Sequence, residues 1–222
     1  MTRRRRPARF GRTGTGSSGR RGGEARGRRD RPDHYARKAR NDGFVARSVY
    51  KLEEIDRRWG LLEAGQRVLD LGCAPGSWMQ YAAQKVGAGG CVLGFDLKPV
   101  TATLPPQARP HVGDVFEIGH VLVGPFDVIL SDMAPATTGN HGTDAARSLG
   151  LAENAVDLAA KHLRPGGHVV VKLLEGGDLP ALIARLRDGY TQVQRVRPRA
   201  TRKDSTELFV VAIGKKAPEE VG

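Results

Sequence analysis

The chain is 222 residues long, 39% hydrophobic and 5% aromatic, with a formal charge of +12. Residues 1–40 hold 15 of its 36 Lys and Arg but only 3 of its 24 Asp and Glu, so the whole excess lies there and the remainder is neutral, with 21 of each sign. The length suits one domain with a tail. Two cysteines, Cys73 and Cys91, exclude a disulfide framework and point to a reducing cytosol. No apolar run approaches a membrane span, and the N-terminus lacks the apolar core of a secretory signal.

Residues 1–33 are rich in Arg, Gly and Ser, with Phe10 as the sole aromatic. Such a composition buries too little apolar surface to fold alone. It reads as a disordered basic arm that contacts nucleic-acid phosphates, with affinity falling as salt rises. From His34 to Arg58 the spacing is helical, broken near Asn41-Asp42-Gly43. Ser48 is placed to cap a helix whose apolar face is Val49, Leu52 and Ile55, followed by Trp59. Lys51 falls off that face and on local evidence is a solvated charge.

Val68-Leu69-Asp70-Leu71-Gly72-Cys73-Ala74-Pro75-Gly76-Ser77-Trp78 organises the rest. An apolar run ends in a loop of small residues, and a helical pattern then runs to about Val86. This reads as strand, tight loop and helix, the opening unit of a nucleotide-binding α/β sheet. Gly72 and Gly76, without a Cβ, would let a ligand approach the backbone. Their spacing departs from the dinucleotide fingerprint, which favours a pocket for a nucleoside-like ligand over a pyrophosphate cradle.

Gly87-Ala88-Gly89-Gly90 breaks the helix. Cys91 to Phe95 is a second strand ending at Asp96, which is placed to accept from two ribose hydroxyls. Pro99 to Pro110 reads as a Pro-rich loop. His111 to Asp114 is a short third strand, with Asp114 a candidate acceptor for an adenine amine. Pro125 to Pro135 reads as a buried strand ending at Asp132. Thr137 to Thr143 is a polar loop that could shape a substrate mouth. Arg147 to Leu163 is a helix ended by Pro165-Gly166-Gly167. His168 to Lys172 is an apolar strand ending in a lysine, and Pro180 to Arg187 is a helix. Thr191–Arg197 and Glu207–Ile213 are the last strands, an antiparallel pair joined by the basic loop Arg199 to Lys203.

Ligands in open α/β sheets bind outside the carboxyl ends of the parallel strands. Asp70, Asp96, Asp114, Asp132 and Lys172 all fall at such ends. An antiparallel final strand would bring Glu207 to the same edge, so Asp132, Lys172 and Glu207 are expected to converge. The six histidines and two cysteines show no metal-ligand spacing, and no metal is expected.

Five segments in order carry a resemblance. They are Ser48-Val-Tyr-Lys-Leu-Glu-Glu-Ile55, Leu69-Asp-Leu-Gly-Cys-Ala-Pro-Gly-Ser-Trp78, Ser131-Asp-Met-Ala-Pro135, Val169-Val-Val-Lys-Leu173 and Ser205-Thr-Glu-Leu-Phe209. Together they resemble the FtsJ/RrmJ family of S-adenosylmethionine-dependent ribosomal RNA ribose 2′-O-methyltransferases. The likeness runs from about His34 to Lys216, which implies a methyltransferase domain over 34–216 and a short tail over 217–222. It implies a Rossmann-like α/β fold with a mostly parallel seven-stranded sheet, an antiparallel last strand and helices on both faces. It also implies a catalytic set of Lys51, Asp132, Lys172 and Glu207, which raises Lys51 from a bland helix lysine. Cofactor contacts carry over to Gly76, Trp78, Asp96, Asp114 and Asp132. The chain departs from the family at Ser77, where a glycine is frequent, and at Ala136, where an asparagine is frequent.

The resemblance implies a cytoplasmic, monomeric enzyme that methylates a uridine ribose of 23S (large-subunit) rRNA, on an assembled or assembling 50S particle. Lys172 would take or orient the 2′-hydroxyl proton. Lys51 would favour a neutral Lys172 by like-charge repulsion, while Asp132 and Glu207 would favour its charged form. The alternatives are transfer RNA as substrate, or an RNA-binding assembly factor without catalysis.

Overall fold

The computed structural model describes residues 34–176 and 178–218; the basic arm (1–33) and residues 219–222 of the expected tail lie outside the described residues. The elements run α1 (His34–Asn41), α2 (Val49–Trp59), β1 (Arg67–Leu71), α3 (Ser77–Val86), β2 (Cys91–Asp96), β3 (Ala108–Val112), a 3-10 turn (Ile118–His120), β4 (Phe126–Ser131), α4 (His141–His162), β5 (Leu163–Leu174), α5 (Leu179–Gly189), β6 (Tyr190–Val196) and β7 (Glu207–Lys215). The seven strands form one sheet in the order β3-β2-β1-β4-β5-β7-β6. β1 to β5 pair in parallel, and β7 runs antiparallel to both β5 and β6.

Strand residues alternate between two cores because successive side chains point to opposite faces. Leu69, Leu71, Ile129, Val169, Val171 and Val210 face α4, α5 and the 3-10 turn. Val68, Val92, Val128, Leu130, Val170, Phe209 and Val211 face α2 and α3. The result is a three-layer α/β/α arrangement with the central strands buried on both sides and the edge strands β3 and β6 largely exposed. Among the described residues no helix is long and apolar enough to cross a membrane. Cys73 and Cys91 are free, one just past the end of β1 and one at the start of β2.

Four local expectations change. Ser48 does not cap α2: its backbone is already helical (φ −59°, ψ −22°) and its side chain caps nothing. The third strand begins at Ala108, inside the expected Pro-rich loop, because β3 is an edge strand and Pro110 needs no amide on its open side. The helix expected from Arg147 begins at His141, where the Asn140 side chain accepts from the Thr143 amide at 3.1 Å, so the expected mouth loop shortens. β5 begins at Leu163 and passes through Pro165-Gly166-Gly167, where the pairing with β4 jumps from Phe126–Leu163 to Val128–His168. The helix-breaking residues occupy an irregularity inside a strand.

Candidate active site

The sheet places the four expected catalytic side chains by face and register. Val128, Leu130 and Val170 belong to the core under α2 and α3, so by period two Asp132 and Lys172 continue that face. β5 pairs with β7 so that Lys172 lies opposite Phe209 and Leu174 opposite Glu207. Lys172 and Glu207 are therefore diagonal neighbours on one face. α2 packs on this face through Leu52 and Ile55 and brings Lys51 to it.

The set resolves into two ion pairs. Lys172 Nζ donates to the Asp132 carbonyl at 2.6 Å and lies 3.0 Å from Asp132 Oδ1. Lys51 Nζ meets Glu207 Oε1 at 2.6 Å and stands 5.7 Å from the Phe209 ring centroid. All four side chains are largely withdrawn from water, Lys172 most (7% exposed) and Asp132 least (16%). Charges so placed persist because each has its partner.

Two cavities border this set. One, of about 570 Å³, is lined by Gly72, Ala74, Asp96, Asp114, Asp132 and Met133, with Leu97 and Phe116 among its apolar walls. Asp96 is fixed by the amides of Ala74 (3.0 Å) and Lys98 (2.9 Å), and Asp114 by that of Phe116 (3.0 Å). Leu97 and Phe116 are 70% and 58% exposed, an uncommon state for large apolar residues, and offer flat surface to a planar base. Neither was singled out from sequence, although each closely follows one of the strand-end acids.

Asp70, expected at the rim, is instead fully buried within β1, and neither of its carboxylate oxygens has a partner. Burial, followed by the charges of Asp132 and Asp96, pushes its carboxyl well above the usual carboxylate range. The acids around this cavity suit a cationic ligand with ribose hydroxyls and an amine, and the volume lies in the range of small-molecule sites.

The glycines serve the chain more than the ligand. Gly72 (φ +79°) has Met133 so close that a Cβ would lie 2.7 Å from Met133 Cγ. A Cβ on Gly76 (φ +115°) would lie 2.6 Å from Val100 Cγ1 and 2.7 Å from Ala102 Cβ. Close packing of protein loops, together with positive φ, demands glycine at both. Gly76 and Trp78 do not line the acid-rimmed cavity. Trp78 is buried, with its indole N–H donating to the Ser48 carbonyl at 2.9 Å and its ring 5.8 Å from that of Phe209.

The second cavity, of about 410 Å³, is lined by Arg47, Ser48, Lys51, Arg202, Asp204, Ser205 and Glu207. The basic loop between β6 and β7 forms one wall. Arg47 donates to the Ala200 carbonyl, Arg197 to that of Ser205, and the Arg199 amide to Glu54 at 2.8 Å. Asp132 thus faces the first cavity and Lys51 and Glu207 the second, while Lys172 contacts Asp132 and lies diagonal to Glu207 in the sheet register.

Comparison with known proteins agrees with this geometry. The model for FtsJ-like methyltransferases matches residues 44–215. A protein named ribosomal RNA large subunit methyltransferase E from Desulfosudis oleivorans is 48% identical over 87% of this chain and 96% of its own length. A protein of the same name from Sorangium cellulosum is 47% identical over 86% of this chain and 92% of its own. A structure described as a ribosomal RNA methyltransferase from Plasmodium falciparum superposes with a TM-score of 0.67 at 23% identity, over 79% of this chain and all of that one, a likeness of fold. By the length and strength of these matches, the chain belongs to the FtsJ-like methyltransferase family.

Proposed function

We propose that the chain transfers a methyl group from S-adenosylmethionine to a ribose 2′-hydroxyl of large-subunit ribosomal RNA, at a uridine. The observation that carries this reading is the set of two ion pairs, Lys172–Asp132 and Lys51–Glu207, with Asp132 on an acid-rimmed cavity and Lys51 and Glu207 on a cation-lined one. The relatives' names supply the substrate class. When bound, S-adenosylmethionine supplies an electrophilic methyl on a positively charged sulfur.

In this reading Asp96 and Asp114 receive the ribose hydroxyls and the adenine amine, and Leu97 and Phe116 flank the base. Asp132 stands at the junction with the reacting centre. Gly76 and Trp78 serve the same site by fixing the loop over residues 72–77. The RNA enters from the second cavity, where Arg47 and Arg202 favour phosphate. Lys172 holds the attacking hydroxyl: its Nζ is anchored on the Asp132 carbonyl at 2.6 Å, which leaves a position on the nitrogen for the ribose oxygen. In its neutral form Lys172 would accept the hydroxyl proton on its nitrogen electron pair as the ribose oxygen takes the methyl group, and the donor would leave with its sulfur neutral. Lys51, held by Glu207, adds positive charge beside the nascent alkoxide. Placement in line supplies much of the rate.

The basic arm adds phosphate contacts, the enzyme acts as a cytoplasmic monomer, and the particle is an assembled or assembling large subunit. The test is labelled methyl incorporation into large-subunit particles, free ribosomal RNA and transfer RNA, with alkaline hydrolysis to locate the label. Label resistant to hydrolysis in large-subunit RNA is the expected result. Label on transfer RNA alone, or on none, would overturn the substrate assignment.

A further inference from the structure

We propose that Ser48 and Ser77 are positioning residues that tie the cofactor loop to Lys51, so that the loop and the catalytic lysine are held as one unit. The proposal rests on the catalytic reading of Lys51 given above. Its basis is the use made of Ser48, a residue at the start of α2 whose side chain takes no part in capping.

Ser48 lines the second cavity and is bonded to the start of α3. Its carbonyl accepts from the backbone amide of Lys51 at 3.0 Å and from the indole N–H of Trp78 at 2.9 Å. Its hydroxyl lies 2.7 Å from that of Ser77. Ser77 opens α3 directly after Gly76 and is buried. The first two residues of α3, directly after the proposed cofactor loop, thus grip a single residue, and that residue bonds the backbone of Lys51. Beyond Lys51 the link continues through Glu207 to β7, and Phe209 on the same face lies against Trp78 with the rings tilted by 30°. A helix start that spends its hydroxyl sideways, on a neighbouring helix, forgoes its cap bond and gains a fixed relation between two elements. A shift of the loop therefore carries the start of α2 with it.

The test is steady-state methyl transfer with the full chain, reading kcat and the KM for S-adenosylmethionine separately, with melting temperature alongside. Ser48→Ala and Ser77→Ala are each expected to lower kcat about three- to tenfold by displacing Lys51, with KM for the methyl donor held within about twofold. The double variant is expected to fall no further than the weaker single, since both remove the same bond. Ser48→Thr, which keeps the hydroxyl, is expected to keep kcat. Wild-type kcat in both alanine variants, or losses that multiply in the double, would overturn the coupling. So would losses that track a melting temperature lowered by more than about 5 °C. Lys51→Ala separates the two levels. If it is inactive while the serine variants are fully active, the coupling alone fails. If it is fully active, the catalytic reading fails and the coupling with it.

Discussion

Lys51 in the first turn of α2 and Glu207 at the start of β7 meet at 2.6 Å, each largely shielded from water. Their contact joins the helix layer to the strand that lies diagonal to Lys172. Glu207→Gln keeps the shape and an acceptor oxygen but removes the charge, leaving Lys51 without its counter-ion. We expect methyl transfer to fall about tenfold or more while RNA affinity stays near wild type. Lys51→Arg should not restore activity, because a planar guanidinium cannot occupy the place of a compact ammonium. Single-turnover rates with saturating RNA check both, and a Glu207→Gln enzyme at wild-type rate would contradict the role of the pair.

Asp70 makes stability depend on pH, although it is sealed inside β1. Its folded-state carboxyl holds its proton to higher pH than an unfolded one does. Below the unfolded pKa both states are protonated and the group is neutral in its effect. As pH rises past that point the unfolded chain gives up a proton that the folded chain keeps, so stability falls. Asp70→Asn removes this penalty. The ligand-free variant is expected to melt a few °C above wild type near pH 7, with the gap closing toward pH 4. Calorimetry across that range checks it, and a gap that widens in acid would contradict the account.

Asp96 ties down the loop after β1 and, in the proposed reading, also receives the cofactor. Its carboxylate accepts from the Ala74 and Lys98 amides, and its replacement by alanine frees both. We expect Asp96→Ala to weaken S-adenosylmethionine binding by at least about tenfold, since a hydrogen bond to a charged group contributes about 1.5–3 kcal/mol. Isothermal titration checks it.

Asp144 holds the segment after β4. The Thr138 amide, with the Thr138 hydroxyl and the Gly139 amide, keeps its carboxyl below the usual carboxylate range. A depressed acid stabilises the fold above its unfolded pKa, and that contribution is lost as pH falls through the folded value. Asp144→Ala is therefore expected to lower the melting temperature at pH 7, with the difference from wild type shrinking below about pH 4. Thermal melts at both pH values check it.

The arm over residues 1–33 carries 12 Lys and Arg against 3 Asp and Glu. Its removal should flatten the dependence of RNA affinity on salt, while kcat at saturating RNA stays unchanged. Filter binding between 50 and 200 mM salt, about the range in which phosphate contacts are most sensitive, checks the slope.

Much of this architecture is legible in the sequence because strands buried on both faces read as apolar runs, and their carboxyl ends carry the acids. Asp132, Lys172 and Glu207 follow from that logic, since one antiparallel strand brings Glu207 to the same edge. Lys51 does not follow from it: helical periodicity marks it as a surface charge, and only resemblance singled it out. Its burial depends on how α2 lies across β7, a tertiary fact. The state of Asp70 is hidden for a similar reason, since an acid inside a strand looks the same in sequence as an acid at its end. The start of β3 in a Pro-rich stretch and the passage of β5 through Pro165-Gly166-Gly167 depend on edge position and on a pairing irregularity, which local propensity does not encode. Ser48 looks like a cap by position, and its turn toward Ser77 becomes visible only once α3 is in place.

The most direct test is tritiated methyl transfer from S-adenosylmethionine to large-subunit particles that lack the modification, with wild type and Lys172→Ala side by side. The account predicts ribose 2′-O label with wild type, its loss in the variant by at least about a hundredfold, and RNA binding retained in both. Label of equal extent with Lys172→Ala would remove Lys172 from the mechanism and contradict the central claim.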